Sequence, residues 1–211
     1  MPKARIAIVI DDLGHDRAAA ERLLALGLPL SYAVLPFENH SVEVAELLRS
    51  RGAEILLHLP MEPEGGADPG PGALTERMSP AEAADATRVA LDAVVGAVGV
   101  NNHMGSAVTA DRATMEAAIG VLDEKGLFFL DSRTSAESVG YDVARSASVP
   151  TSRRDLFLDE VDDEEAIGKA IDQLIAIARA KGAALRMHPP GSSRTNRART
   201  RRGGCRARRS S

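Results

Sequence analysis

Short apolar runs alternate along the chain with longer segments whose apolar positions recur at helical spacing. The first run is Arg5-Ile6-Ala7-Ile8-Val9-Ile10, and similar runs occupy 30–35, 53–57, 98–100, 127–130 and 183–187. Each has the length and the aliphatic content of a buried β-strand. Two shorter runs, 146–149 and 156–158, read as further strands. Between the strands, Asp16 is placed to cap a helix carrying Ala20, Leu23 and Leu24 on one face, closed by Gly27. Ser41 is expected to cap the next, with Val44, Ala45, Leu47 and Leu48 inward. Ser79-Pro80-Ala81-Glu82 combines a capping box with proline at the first helical position, and predicts a helix running to about Gly96. A fourth helix is expected from about Asp111 to Lys125. A fifth opens at Asp162, with Ile167, Ile171, Leu174, Ile175 and Ala178 on one stripe.

This alternation calls for a parallel sheet flanked by helices. Open doubly wound sheets and closed barrels both satisfy it, and about seven strands in this length favour a small barrel. The first strand-to-helix turn, Asp11-Asp12-Leu13-Gly14-His15, lacks the glycine pattern of a nucleotide-binding fold. The segment Pro63-Glu64-Gly65-Gly66-Ala67-Asp68-Pro69-Gly70-Pro71-Gly72 is an exposed loop, read as a tolerated insertion rather than a lid.

With 211 residues and 44% hydrophobic content, the chain suits one domain with a full core. Aromatic residues make up only 3%, with no Trp, which argues against an extended surface for stacking sugars or bases. No stretch approaches the roughly 18 unbroken apolar residues of a membrane span. A strand beginning at Arg5 leaves no room for a signal peptide in the sequence given. The single Cys205 supports neither a disulfide nor a thiolate cluster. The net charge of -4 is unevenly spread: residues 186–211 hold nine of the 26 basic residues and none of the 30 acidic ones. The expected organisation is a barrel domain over 1–190 and an Arg-rich disordered tail over 191–211, with no nucleic-acid partner.

The chemistry lies at the strand ends. Asp11 and Asp12, His58, His103, Asp131 and His188 each close a predicted strand, and in a parallel barrel those ends converge on one rim. One carboxylate of the pair, with the imidazoles of His58 and His103, can hold a divalent metal, leaving the other carboxylate to act as a base. Zinc is the first expectation for such a nitrogen-and-oxygen set, which also accepts iron, manganese or cobalt. His15 and His40 fall in loops near the same rim and read as solvated.

The blocks Ile10-Asp11-Asp12-Leu13-Gly14, His58-Leu59-Pro60-Met61-Glu62-Pro63, Asn101-Asn102-His103-Met104-Gly105-Ser106 and Asp131-Ser132-Arg133-Thr134 resemble the divergent polysaccharide deacetylases. These form a distant branch of the metal-dependent carbohydrate deacetylases, on a distorted seven-stranded β/α barrel. The resemblance covers roughly residues 5 to 185. It implies Asp12, His58 and His103 as metal ligands and Asp11 as the base, with Asp131 and Arg133 beside them in the pocket. Relatives are commonly exported to the periplasm or envelope. Where the family's last strand leads into Gly-His-Pro, this chain reads Met187-His188-Pro189, and His188 is expected to protonate the departing amine. The implied activity removes acetyl groups from N- or O-acetylated sugars with metal-activated water. Two alternatives come from other classes: an inactive barrel that binds envelope glycans or a protein, and a glycoside hydrolase using Asp11 and Asp131 as a carboxylate pair.

Overall fold

The computed structural model describes residues 4–157 and 164–188. The Arg-rich tail and the start of the fifth predicted helix at Asp162 lie outside the described residues. Among the described residues eight parallel strands form one sheet in the order β6-β5-β4-β3-β2-β1-β8-β7. They are β1 (Arg5–Leu13), β2 (Ser31–Val34), β3 (Glu54–Met61), β4 (Gly99–Met104), β5 (Phe128–Asp131), β6 (Thr151–Arg153), β7 (Leu156–Phe157) and β8 (Ala183–His188). The two edge strands, β6 and β7, are consecutive in sequence and separated only by Arg154 and Asp155. Arg154 N–H still bonds Asp131 O, at 3.0 Å, while Asp155 N–H already bonds Leu185 O, at 3.2 Å. One extended segment thus pairs with β5 in its first half and β8 in its second. Seven parallel strands are thereby nearly closed into a barrel, as the sequence predicts.

Among the described residues six α-helices accompany the strands: α1 (Arg17–Leu24), α2 (Ser41–Ser50), α3 (Pro80–Ala93), α4 (Arg112–Lys125), α5 (Gly140–Ser146) and α6 (Glu164–Lys181). Strand periodicity sorts the core into two layers. Ile55, Leu57 and Leu59 of β3 face the helices, in one cluster with Leu48, Leu91 and Ile119. Leu56 turns inward with Val9, Ala33, Leu130 and Met187 to fill the barrel axis. The next inward positions along β1, β3 and β4 are Asp11, His58 and Asn101, so a polar layer rests directly on the apolar plug. None of the described helices is long and apolar enough to cross a membrane.

The helix caps follow the sequence in most places. Asp16 accepts from Ala18 N–H, Asp111 accepts from Thr114 N–H, and Ser79 with Glu82 forms the complete capping box. Gly126 ends α4 in the left-handed conformation that the Lys125-Gly126 junction requires. Ser41 differs from expectation, being the first residue of α2 rather than its cap. Its hydroxyl accepts from Glu38 N–H at 2.9 Å and donates to Leu35 O at 2.6 Å, pinning the turn after β2. The predicted strand at 146–149 is also corrected: Ser146 ends α5, Ser148 is left-handed, and Val149 N–H bonds Ala144 O. Val149 is buried, so its apolar character serves the core without a strand. The sheet pairing starts one step later, where Phe129 N–H bonds Pro150 O.

Gly105 follows β4 with φ +88°, and a Cβ added there would come within 2.7 Å of the Cβ of buried Met61. Gly105→Ala is expected to lower unfolding free energy by about 2 kcal/mol or more, from backbone strain plus overpacking. Urea denaturation of the two proteins measures it.

Candidate metal centre

The parity of β1 breaks at the aspartate pair. Ile10 and Leu13 both pack toward the helices although they lie three residues apart, an odd spacing that an uninterrupted strand does not allow. The pairing with β2 shifts register between these same residues. Asp12 absorbs the extra residue with φ +56°, in the left-handed region. Both carboxylates therefore reach the barrel mouth, where straight alternation would have sent one of them into the helix layer.

Three donor atoms converge there. Asp12 Oδ1 lies 3.2 Å from His58 Nε2 and 3.0 Å from His103 Nδ1, and the two imidazole nitrogens are 3.2 Å apart. The rings meet edge-on, with centroids 4.9 Å apart and planes at 70°. Asp12 Oδ1 is buried and makes no hydrogen bond of ordinary geometry among the described residues, despite its two nitrogen neighbours. Three lone-pair donors aimed at one another, one of them an orphaned buried carboxylate oxygen, fit a shared cation better than a hydrogen-bond network. Asp12, His58 and His103 could bind a metal. The strands run on past these residues by one to three positions, so the cluster lies just inside the mouth rather than on its edge.

The surroundings hold the cluster in place. Asp11 is buried, and Asn101 Nδ2 donates to its Oδ1 at 2.8 Å. The same oxygen lies 3.9 Å from His58 Nδ1. Asn102 stitches β4 to the loop after β5: its Oδ1 accepts from Ser132 N–H at 2.8 Å and its backbone carbonyl accepts from Ser132 Oγ at 2.6 Å. The family resemblance includes both asparagines but implies no role for either. The available signal was an amide doublet inside an apolar strand, since buried amides persist only where partners satisfy them.

Asp131 ends β5, and Arg133 lies in the loop that follows it. Asp131 is buried, and its oxygens accept from Arg133 N–H (2.7 Å), Ser138 Oγ (2.8 Å) and Tyr141 N–H (3.1 Å). That carboxylate organises the loop leading into α5. Arg133 is exposed with φ +48°, and its carbonyl accepts from an Arg154 guanidinium nitrogen at 2.7 Å. The backbone of His188 ends β8 opposite Ile10, one residue from Asp11; its side chain lies outside what the structure describes. His15 and His40 pair with Glu38 and Glu43 at the periphery.

Burial opposes the charge on Asp12, but the His103 and His58 imidazoles outweigh it and hold its carboxyl well below the usual carboxylate range. Burial also opposes the charge on His58, yet the Asp11 and Asp12 carboxylates prevail and raise its pKa above the ordinary imidazole value.

A barrel mouth carrying an Asp-His-His cluster defines a β/α-barrel protein with a candidate metal centre. The chain belongs to the divergent polysaccharide deacetylase family, whose model matches residues 8–199. It is 35% identical over 188 residues to an uncharacterized protein of Haemophilus influenzae, spanning 89% of this chain and 67% of that protein. It is 34% identical over 186 residues to the uncharacterized protein YibQ of Escherichia coli, spanning 88% of this chain and 58% of YibQ. Among solved structures it is similar to the uncharacterized protein ATU2773 from Agrobacterium tumefaciens. There the TM-score is 0.84 at 28% identity, covering 91% of this chain and 79% of that one.

The raised pKa of His58 and the depressed one of Asp12 fix the signs of two pH effects in the metal-free protein. Its ion pairing contributes stability in full below the unfolded value of about 6.5, and that contribution is lost as pH rises through the folded value. The Asp12 contribution has the opposite sense, present above the unfolded value of about 3.9 and lost as pH falls through the depressed one. A metal must displace the His58 proton, so zinc affinity is expected to rise up to about tenfold per pH unit while His58 is protonated. Isothermal titration in buffers of different ionisation enthalpy reads both the affinity and the released proton; a pH-independent affinity contradicts the arrangement.

Proposed function

We propose that this chain is a metal-dependent carbohydrate deacetylase, acting on N- or O-acetylated sugars. The observation that carries the reading is the bulge in β1, which brings a ligand carboxylate and a second, separately held carboxylate to one mouth. Asp12, His58 and His103 hold the metal, with zinc the first choice for this donor set. A metal so held supplies Lewis acidity for an acetyl carbonyl and makes water more acidic. Asp11 is the base. It stands beside the ligand set, and its Oδ1 is fixed by Asn101, so a proton taken from water arrives at a carboxylate of set orientation. His188, one register step from Asp11 across β1 and β8, is the proposed donor to the leaving amine or alcohol.

Family membership supports the substrate class, and the donor set supports the metal. The carboxylate-pair alternative sits poorly with Asp131, whose oxygens are taken up by three donors of its own loop.

Two variants test the division of labour. Asp11→Asn is expected to retain zinc at wild-type stoichiometry and to lower acetate release from acetylated chito-oligosaccharides by about 100-fold or more. Asp12→Ala is expected to lose both metal and activity. Elemental analysis paired with an acetate assay reads the two together; full turnover by metal-loaded Asp11→Asn contradicts its role as base.

A further inference from the structure

We infer that Phe37 is a stacking platform for a sugar ring, forming a substrate subsite at the barrel end that carries the metal centre; the inference rests on the carbohydrate reading above. Phe37 follows β2 and is 43% exposed, in a chain with four Phe, two Tyr and no Trp. It is also strained, with φ +62° for a bulky aromatic residue. The turn that holds it is fixed at several points. Leu35 N–H bonds Leu13 O at 2.7 Å, tying the turn to the bulged end of β1. His40 N–H bonds Gly14 O at 2.9 Å, and the Ser41 hydroxyl bridges Glu38 N–H and Leu35 O. Such a conformation persists only where its surroundings over-determine it, and strain of this kind gathers at binding and catalytic sites.

The ring is also seated. One edge lies against Gly72, where an added Cβ would come within 2.4 Å of Phe37 Cε2 and 2.7 Å of Cδ2. Gly72 belongs to the loop after β3, which is itself anchored: Glu62 N–H bonds Leu74 O at 2.8 Å, and Leu74 N–H bonds Pro60 O at 2.9 Å. The loop that looks like a plain insertion in sequence thus backs an aromatic ring while leaving much of it in water. The pattern extends around the barrel. Among the described residues, five that are not glycine have positive φ, and four of them, Asp12, Phe37, Met104 and Arg133, lie at or just beyond the C-terminal ends of β1, β2, β4 and β5. The strain is concentrated at one mouth.

A pyranose ring carries C–H groups on its faces while its hydroxyls project outward. It can therefore cover a held aromatic ring and keep its hydroxyls hydrated. A ring already fixed by Gly72 and the β2 turn loses little freedom on binding, which favours affinity. Phe37 and the metal centre lie at the same end of the barrel, so the subsite favours oligosaccharides long enough to reach both over single sugars.

The test uses tetra-N-acetylchitotetraose. Phe37→Trp introduces the chain's sole tryptophan, and its emission is expected to shift saturably with the tetramer, in metal-loaded protein and in an Asp12→Ala background alike. Leu28→Trp, placed at the opposite end of β2, is expected to show no shift. Phe37→Ala is expected to raise KM for the tetramer roughly tenfold with kcat within about twofold, and Phe37→Tyr to restore it. An emission shift without acetate release supports the subsite while counting against deacetylation. Normal acetate release with an unmoved emission and an unchanged KM in Phe37→Ala overturns the subsite and leaves the deacetylase reading standing. Neither shift nor turnover counts against both.

Discussion

One extra residue in β1 sets the arrangement of the barrel mouth. A regular strand sends neighbouring side chains to opposite faces, so two adjacent aspartates would ordinarily serve two environments. The left-handed step at Asp12 removes that alternation for a single residue and then lets it resume, with Leu13 back among the helices. Both carboxylates then face the imidazoles of β3 and β4. Without the bulge, one carboxylate would lie buried among aliphatic side chains at a cost of several kcal/mol, or would shed its charge.

The site concentrates ionisable groups where a barrel otherwise excludes water. Asp11 and His58 rest on the plug of Val9, Leu56, Leu130 and Met187, where the neighbouring carboxylates favour the charged imidazole against the burial that opposes it. Such a cluster is stable in one of two ways: protons shared among its members, or a cation among them. The orphaned Asp12 Oδ1 favours the second. The amides of Asn101 and Asn102 perform a related task. They are neutral partners that fix acidic and backbone groups without adding charge, and they leave the electrostatic balance to Asp12 and the two imidazoles.

Much of this was legible in the sequence because the signals were local. Apolar runs ending at Asp or His placed the strands and gathered Asp12, His58 and His103, and the capping box at Ser79 and the glycine at 126 bounded their helices. What escaped was tertiary. The Ser41 hydroxyl looks like a helix cap, yet it is spent on the turn before α2. The run 146–149 looks like a strand, but a buried Val149 after a short helix satisfies the same apolar pattern. Asp131 closes a strand, and its donors come from a loop up to ten residues away, which no local pattern shows. The bulge left no mark in hydropathy at all, since two polar residues at a strand end fit either register.

Anomalous diffraction from zinc-soaked crystals, recorded on both sides of the zinc absorption edge, tests the central claim most directly. The account predicts one strong peak coordinated by Asp12 Oδ1, His58 Nε2 and His103 Nδ1. A fully soaked crystal with no peak among those three atoms, or with zinc bound elsewhere on the barrel, would contradict it.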